Sequence, residues 1–273
     1  MNTQPTNSAA KLNLKSAIGV IDSGVGGLSV LREIHQLLPD IPTLYFADQG
    51  HLPYGSRPAD QIREYVQRIA DFLIAQGAVI VVLACHAASA AALEHLRACY
   101  PDTPIVGIEP AVKPAAESTR SGVIGVLTTQ ATADGALYRR VVARYAANVR
   151  VITQVAPELV TVVEQGTQDT PEGDAVLRGY VLPLLDAGAD QIVLACTHFP
   201  FLRANLENLT NVALVDPGAA VARQVARVLA TQVSVVDAWQ SSHRYFTSSS
   251  PAAFQAMLAR LIGVTADVSH QPA

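Results

Sequence analysis

The chain is poor in several residue types whose abundance marks particular classes of protein. Its 273 residues include three cysteines, Cys85, Cys99 and Cys196, too few and too odd in number for a disulfide framework. We therefore expect reduced thiols and a cytoplasmic location. Three lysines accompany sixteen arginines, neither type is clustered, and the net charge is -4. A chain without a basic stripe is not expected to bind nucleic acid.

Long hydrophobic runs are missing as well. The longest apolar stretch covers residues 78–84, far short of the roughly 20 residues that a transmembrane helix needs, so no membrane association is expected. Residues 1–16 are polar and contain no apolar segment like that of a secretory signal, which predicts a flexible N-terminal tail. Half of the residues are nevertheless hydrophobic and 15% are charged, which allows a sizeable packed core.

Short β-branched runs alternate with amphipathic segments along the whole chain, a pattern that predicts an α/β fold. The predicted strands are residues 18–21, 43–47, 79–84, 105–108, 123–127, 150–154, 191–195 and 212–215. The predicted helices are residues 28–38, 58–76, 89–99, 135–145, 173–187, 220–230 and 251–262. The strands are continuous apolar runs, which is typical of parallel sheets covered by helices on both faces.

Three short stretches recur in the same order at offsets of 106 to 111 residues. They are IGVIDS and IGVLTT at Ile18 and Ile124, VLAC ending at Cys85 and Cys196, and GIEP and LVDP at Gly107 and Leu214. This order predicts two similar parallel-sheet halves. We expect a first α/β domain of residues 17–109 plus 218–273 and a second of residues 110–217.

Polar residues stand where several predicted strands end, and in parallel sheets ligands bind beyond the carboxyl ends of the strands. The four polar stretches are Asp22-Ser23-Gly24, Cys85-His86, Thr128-Thr129 and Cys196-Thr197-His198. Two halves packed face to face would bring Cys85 and Cys196 to one cleft from opposite sides. Cys99 lies within a predicted helix, so we interpret it as a small core residue.

Two opposed thiols suit racemisation, which removes a proton from one face of a carbon and returns it on the other. A thiol becomes an effective base beside a helix N-terminus or a cation. Both Cys85 and Cys196 precede helical stretches, and His198 follows Cys196 by two residues. Asp22 is a candidate to assist a base from the first half.

Other uses of these residues are weaker. A metal site would need Cys85, His86, Cys196 and His198 together, but neighbours on a strand point to opposite faces, and no CxxC or HExxH motif occurs. Lys113, beside Pro114, is the one lysine outside the tail, so a pyridoxal cofactor is not expected. The loop GVGGLSV at Gly24 is either an anion cradle or a tight strand-to-helix connection. A Cys-His hydrolase would leave the second thiol unexplained.

With these residues in view, the chain resembles the glutamate racemases, cofactor-independent enzymes that supply D-glutamate for bacterial peptidoglycan. The stretches that carry the resemblance are IGVIDSGVGGLSVLREI, ADQGHLPYGSR at Ala47, the two cysteine stretches, GVLTTQAT at Gly125, LVTVVE ending at Glu164, and YFTSSSPAAFQAMLARLIG. They span nearly the whole chain. The resemblance implies two α/β domains related by pseudo-twofold symmetry, an active site in the cleft between them, no cofactor or metal, and a homodimer.

The resemblance also implies roles for individual residues. Cys196 would abstract the α-proton of L-glutamate and Cys85 that of D-glutamate, with Asp22, His198 and Glu164 as auxiliary catalytic groups. The expected substrate-binding residues are Asp22, Ser23, Pro53, Tyr54, Gly55, His86, Ala87, Thr129, Thr132, Thr197 and His198. Neutral donors and backbone amides would hold the amino group and the two carboxylates of the substrate.

One stretch departs from the family pattern. ACHAAS stands where the family has ACNTAS, so His86 and Ala87 replace an asparagine and a threonine that donate hydrogen bonds to substrate. Ala87 has no donor, and His86 would either bind a carboxylate as a cation or fill space. A smaller change is ACTHFP for GCTHYP. These changes leave two alternatives open: a racemase for another amino acid, or a paralogue with weakened catalysis that acts as a binding protein.

Overall fold

Two parallel sheets form the centre of the molecule in a computed structural model that describes residues 17–232 and 243–273; the predicted tail, residues 1–16, lies outside the described residues. In chain order the strands are β1 (Ala17–Asp22), β2 (Thr43–Ala47), β3 (Ala78–Leu83), β4 (Ile105–Gly107), β5 (Val123–Thr128), β6 (Arg150–Val155), β7 (Gln191–Ala195), β8 (Ala213–Val215), β9 (Arg244–Thr247) and β10 (Val268–His270). All eight predicted strands are present, and no end differs by more than one residue from the one expected.

The two sheets repeat one order of strands. The first sheet runs β10-β9-β2-β1-β3-β4 and the second β6-β5-β7-β8. Every neighbouring pair is parallel. The order β2-β1-β3-β4 therefore matches β6-β5-β7-β8 strand for strand, and the three sequence echoes fall on the equivalent pairs β1 and β5, β3 and β7, β4 and β8. The predicted α/β fold with two similar parallel sheets is confirmed.

Helices cover the sheets. They are α1 (Leu28–Leu37), α2 (Ala59–Ala75), α3 (His86–Cys99), α4 (Val112–Ser118), α5 (Gln130–Ala133), α6 (Ala136–Tyr145), α7 (Pro157–Gln165), α8 (Pro171–Asp186), α9 (Arg203–Leu209), α10 (Gly218–Gln232) and α11 (Pro251–Ile262). Helix α3 begins three residues earlier than predicted, with Cys85 as its N-cap residue. Its early start brings His86 and Ala87 into the first turn of the helix.

The C-terminal segment extends the first sheet. Strand β9 pairs with β2 and β10 pairs with β9, while α10 packs against α1. Strands β9 and β10 are short, and neither is among the strands predicted from the sequence. The division into domains at residues 109/110 and 217/218 stays a prediction.

Helices approach the two sheets closely at a pair of equivalent glycines. A Cβ atom on Gly19 of β1 would lie 3.3 Å from Leu73 Cδ1 of α2, and one on Gly125 of β5 would lie 2.8 Å from Leu184 Cδ1 of α8. Both leucines are fully buried, and burying such a side chain contributes roughly 1.5–3 kcal/mol. The missing side chains of Gly19 and Gly125 thus allow one long helix to pack a leucine against a central strand of each sheet.

Cys99 does not belong to the core. It is the last residue of α3 and its side chain is exposed, so the interpretation as a core residue is wrong. The apolar spacing of the helix, with Ala92 and Leu96 buried, extrapolates to Cys99. Residues 97–99 are all exposed, however, so the buried face of the helix ends at Leu96.

Candidate active site

The carboxyl ends of four strands contribute to one cavity of about 440 Å³. Ser23 follows β1, Cys85 follows β3, Thr129 follows β5 and Cys196 follows β7, and all four residues line the cavity. Each thiol therefore reaches the same space from an equivalent strand end of a different sheet. Both thiols are buried, with Cys85 6% exposed and Cys196 7% exposed. The prediction that the two cysteines face one cleft is confirmed by this geometry.

Cys196 is the first member of a buried chain of polar groups. Its Sγ lies 3.7 Å from His198 Nδ1, and His198 Nε2 lies 2.7 Å from Glu164 Oε1. Burial alone would lower the pKa of His198, but the hydrogen bonds and charges of Cys196 and Glu164 raise this pKa well above its usual range. His198 is therefore a cation between a sulfur and a carboxylate. A positive charge beside a sulfur stabilises its thiolate.

The surroundings of Cys85 differ. Its nearest polar side chain is Ser23, whose Oγ lies 3.7 Å from Cys85 Sγ. Burial raises the pKa of the Cys85 thiol to about 12, the charge of Asp22 adds to this increase, and the backbone N–H of Ala88 in the first turn of α3 acts against it. Cys85 therefore carries its proton at neutral pH. The cavity holds one thiol with a cationic partner and one protonated thiol.

Asp22 lies below the cavity and contacts the second sheet. One carboxylate oxygen accepts the Gly24 N–H at 2.9 Å, and the other accepts the Thr197 hydroxyl at 3.1 Å. The side chain is completely buried. Burial raises its pKa to about 6, although the charge of His198 lowers it. Asp22 thus ties the end of β1 to the loop after β7, while its hydrogen bonds do not include Cys85.

The glycine-rich loop after β1 holds an anion of the protein itself. The N–H of Val25 donates to Glu164 Oε1 at 2.9 Å, and the N–H of Gly24 is taken by Asp22. A Cβ atom on Gly24 would lie 2.2 Å from Glu164 Oε1, and one on Gly26 would lie 2.5 Å from His198 Nδ1. Of the two interpretations of this loop, the anion cradle therefore describes it, with the Glu164 carboxylate as the bound anion.

The opposite wall consists of the loop after β2. Leu52, Pro53, Tyr54, Gly55 and Ser56 all line the cavity. A Cβ atom on Gly55 would lie 2.9 Å from Thr129 Cβ, so this loop of the first sheet contacts the loop after β5 in the second sheet. The predicted residues Pro53, Tyr54 and Gly55 therefore lie where a substrate would be held.

His86 and Ala87 line the cavity beside Cys85. His86 is 3% exposed, and both of its ring nitrogens are buried without a hydrogen-bond partner among the described residues. Burial lowers the pKa of His86 to about 3, which favours the neutral ring over a carboxylate-binding cation; the role of His86 toward substrate stays a prediction. The expected alternation of a strand is wrong, since the strand ends at Leu83 and both Cys85 and His86 face the cavity.

Several predicted site residues lie behind the wall instead of in it. Asp22, Thr132, Glu164 and Thr197 are buried or nearly so but are not among the residues that line the cavity. Thr132 shares a hydrogen bond of 3.3 Å with the wall residue Thr129. Residues that the sequence did not point to complete the lining, namely Leu52, Ser56, Gln130, Val155, Pro157, Glu158, Val160 and Thr161.

Within residues 17–232 and 243–273, no three or more His, Cys, Asp or Glu side chains are grouped so that they could hold a metal ion. In the same residues no helix is both long and apolar enough to cross a bilayer.

Comparison with known proteins gives consistent matches over nearly the whole chain. The family profile of the Asp/Glu/Hydantoin racemases matches residues 18–225. A glutamate racemase of Ectopseudomonas mendocina is 50% identical over 256 residues, which cover 93% of this chain and 97% of that one. A glutamate racemase of Pseudomonas aeruginosa is 46% identical over 250 residues, which cover 91% and 94%.

Solved structures agree with the sequence matches. The Escherichia coli glutamate racemase in complex with L-glutamate and the activator UDP-MurNAc-Ala has a TM-score of 0.85 at 31% identity, over 94% of this chain and 98% of that one. A glutamate racemase isoform of Bacillus anthracis has a TM-score of 0.84 at 30% identity, over 94% and 97%.

Proposed function

Because this chain belongs to the Asp/Glu/hydantoin racemase family, and is thus an isomerase, we propose that it interconverts L- and D-glutamate with two thiols, Cys85 and Cys196. The observation that carries the proposal is the meeting of two buried thiols, from equivalent strand ends of two sheets, in one cavity. A symmetric pair of acid and base groups on opposite faces of a carbon is what inversion of its configuration requires.

In each direction one thiol removes the α-proton and the other supplies a different proton to the opposite face of Cα. In the L-to-D direction the Cys196 thiolate takes the α-proton from one face of Cα, and the electron pair stays on the substrate as a carbanion. The Cys85 S–H then gives its proton to the other face. The reverse reaction exchanges the two roles. The environments support this assignment, since Cys85 holds its proton and Cys196 has the cationic His198 beside it.

The auxiliary residues act on the base and the substrate. Glu164 fixes the His198 ring by its 2.7 Å contact with Nε2, which directs Nδ1 toward Cys196. Tyr54, Gly55 and Thr129 form the facing walls that hold the substrate. Neutral donors in a buried site bind carboxylates by hydrogen bonds without placing a cation near the reacting carbon. Asp22 and Thr197, which hydrogen-bond each other, support the base of the site from below.

The test is α-proton exchange. Purified protein incubated with L-glutamate in deuterated water is expected to yield D-glutamate with deuterium at Cα. Cys85→Ser and Cys196→Ser are each expected to lower the rate at least 10³-fold, because an alcohol is a far weaker acid than a thiol and neither donates its proton readily nor forms its anionic base at neutral pH. Cys99→Ser is the matched control, since this exposed thiol lies outside the cavity. A folded protein that forms no D-glutamate and exchanges no α-proton would overturn the proposal.

One observation favours a second candidate, a racemase for another amino acid. The wall beside Cys85 differs from the family pattern: the His86 nitrogens have no hydrogen-bond partner among residues 17–232 and 243–273, and Ala87 has no hydroxyl. A neutral imidazole can both donate and accept one hydrogen bond, which suits an uncharged side-chain group as well as a carboxylate. A panel of L-amino acids that includes aspartate, glutamine and glutamate separates the candidates by kcat/KM. Glutamate as the best substrate would remove this second candidate.

The biological setting follows from the activity. A D-glutamate supply for peptidoglycan in the bacterial cytoplasm and a homodimeric assembly remain proposals. A paralogue with weakened catalysis is the remaining alternative. Two intact thiols and a complete Cys196–His198–Glu164 chain count against it.

A further inference from the structure

The wall formed by residues 52–56 has little regular structure of its own. Between β2 and α2 the chain makes two short 3-10 turns, Gln49–His51 and Tyr54–Ser56. Five consecutive residues of this segment nevertheless line the cavity that contains both thiols. Something other than a helix or a strand must therefore fix the wall.

Asp48 is in the right place to do so. It follows β2 directly, and its backbone N–H donates to the carbonyl of Asp22 at 2.9 Å. Asp48 therefore lies at the carboxyl-terminal side of the sheet, beside the end of β1. Its side chain is fully buried. Asp48 itself does not line the cavity. Its carboxylate faces the wall segment and the C-terminal segment instead.

Three side chains donate to this carboxylate. Oδ2 accepts the Tyr54 hydroxyl at 2.5 Å, Oδ1 accepts the Ser248 hydroxyl at 2.5 Å, and His51 Nδ1 lies 2.9 and 3.0 Å from the two oxygens. The Ser248 hydroxyl in turn accepts the N–H of Gly50 at 2.9 Å. Hydrogen bonds to a buried carboxylate are among the stronger ones in proteins. Both 3-10 turns between β2 and α2 are thus hydrogen-bonded to the Asp48 carboxylate, one directly through His51 and the other through the wall residue Tyr54.

We propose that Asp48 is a positioning residue that sets affinity for the substrate by holding the Tyr54–Gly55 wall through the Tyr54 hydroxyl, with Ser248 as its link to the C-terminal segment. The proposal rests on the proposed racemase function. The wall has little room to move toward the second sheet, because a Cβ on Gly55 would lie 2.9 Å from Thr129 Cβ. A shift of the Tyr54 ring would therefore widen or close the space between the two sheets where the substrate sits.

A kinetic cycle tests the link between Asp48 and the wall. Asp48→Asn replaces one of the two acceptor oxygens by an NH₂ group, so the side chain can no longer accept from all three donors. Tyr54→Phe removes the tyrosine donor and keeps the ring. Each variant is expected to raise the KM for L-glutamate about tenfold and to change kcat by less than about threefold. The double variant is expected to equal the single ones, because both changes break the same contact. Additive effects, or an unchanged KM in folded Asp48→Asn, would overturn the proposal.

Asp190→Asn is the matched control. Asp190 also anchors a loop, since it accepts hydrogen bonds from Thr119 Oγ1 and from the N–H groups of Arg120 and Ser121, but it does not line the cavity. This variant is expected to melt at a lower temperature with an unchanged KM. A purely structural role of Asp48 would give the same result in Asp48→Asn, which is why the KM decides.

Hydrogen exchange separates this proposal from the proposed function. In Asp48→Asn the backbone amides of residues 49–57 are expected to exchange at least tenfold faster than in the wild type, while those of residues 119–123 are unchanged. This readout needs no activity. If the wild type fails to racemise glutamate, the proposed function falls, and unchanged exchange at residues 49–57 would still overturn the role of Asp48. If Asp48→Asn does not fold, Tyr54→Phe carries both measurements.

Discussion

At the scale of one residue, the buried carboxylate of Asp22 lowers the free energy of unfolding when it is ionised. Burial raises its pKa from 3.8 to about 6, so the folded protein keeps this proton over a range in which the unfolded chain releases it. The free energy of unfolding therefore falls by about 3 kcal/mol as the pH rises from below 4 to above 6 through this group. The molecule tolerates this loss because the ionised carboxylate accepts hydrogen bonds from Gly24 and Thr197.

Asp22→Asn is expected to stabilise the protein at the expense of activity. Asparagine keeps an acceptor for the Gly24 N–H and removes the buried charge, so the free energy of unfolding at pH 7.5 should rise by about 1–3 kcal/mol. The gain should vanish near pH 4, where the wild-type group is protonated. Urea unfolding at pH 7.5 and near pH 4 measures this gain. The kcat of the same variant for racemisation should be lower than that of the wild type.

Asp190→Asn is the control for this measurement, and its effect on stability is expected to have the opposite sign. Against the effect of burial, hydrogen bonds from Thr119, Arg120 and Ser121 lower the pKa of Asp190 to about 2. Asp190→Asn is therefore expected to destabilise the protein at pH 7.5, with the difference shrinking as the pH falls toward 2. An Asp22→Asn variant that is no more stable than the wild type at pH 7.5 would contradict the role assigned to burial.

At the scale of an element, the loop between β1 and α1 is shaped by the residues it contacts. Gly24→Ala would place a Cβ 2.2 Å from Glu164 Oε1 and 2.4 Å from Leu52 Cδ1. The carboxylate must then move, and the loss of a charge-assisted hydrogen bond costs about 1.5–3 kcal/mol. We expect kcat/KM to fall about 10- to 100-fold in a racemisation assay, while the melting temperature changes by only a few degrees.

Gly179→Ala is the control for this substitution. Gly179 lies on the exposed face of α8, and no atom of the part of the chain that the structure describes lies within 4 Å of a Cβ added there. The change should raise stability by roughly 0.5–1 kcal/mol through helix propensity and leave activity unaltered. If Gly24→Ala behaved like Gly179→Ala, the contact between the loop and Glu164 would have no part in catalysis.

The sequence predicted elements better than their side-chain contacts. Apolar runs and strand-end polar residues were enough to place Cys85 and Cys196 at equivalent positions, because burial patterns and sheet topology follow local rules. The contact of Glu164 with Val25 spans 139 residues and depends on how the two sheets pack, which no local pattern encodes. Asp48 stands at a strand end like the other polar residues, so the same rule points to it.

At the scale of the whole molecule, a ligand in the cavity is expected to bind both sheets together. The inactive double variant Cys85→Ser/Cys196→Ser should be stabilised by L-glutamate and by D-glutamate to a similar extent, because the lining comes equally from both sheets. At a concentration 100 times the Kd the gain is about 2.7 kcal/mol. Thermal melts with each enantiomer measure it, with L-lysine as the control ligand. Stabilisation by neither enantiomer would contradict a glutamate site here.

The bond between Val25 and Glu164 has a further consequence for the timing of turnover. The same carboxylate that orients His198 is held by the Val25 N–H and the Gln49 amide of the first sheet. Any parting of the two sheets that admits substrate or frees product has to break those two bonds. His198 then loses the fixed partner that directs it toward Cys196. In the proposed mechanism, access to the cavity and the orientation of His198 toward Cys196 would therefore alternate during turnover.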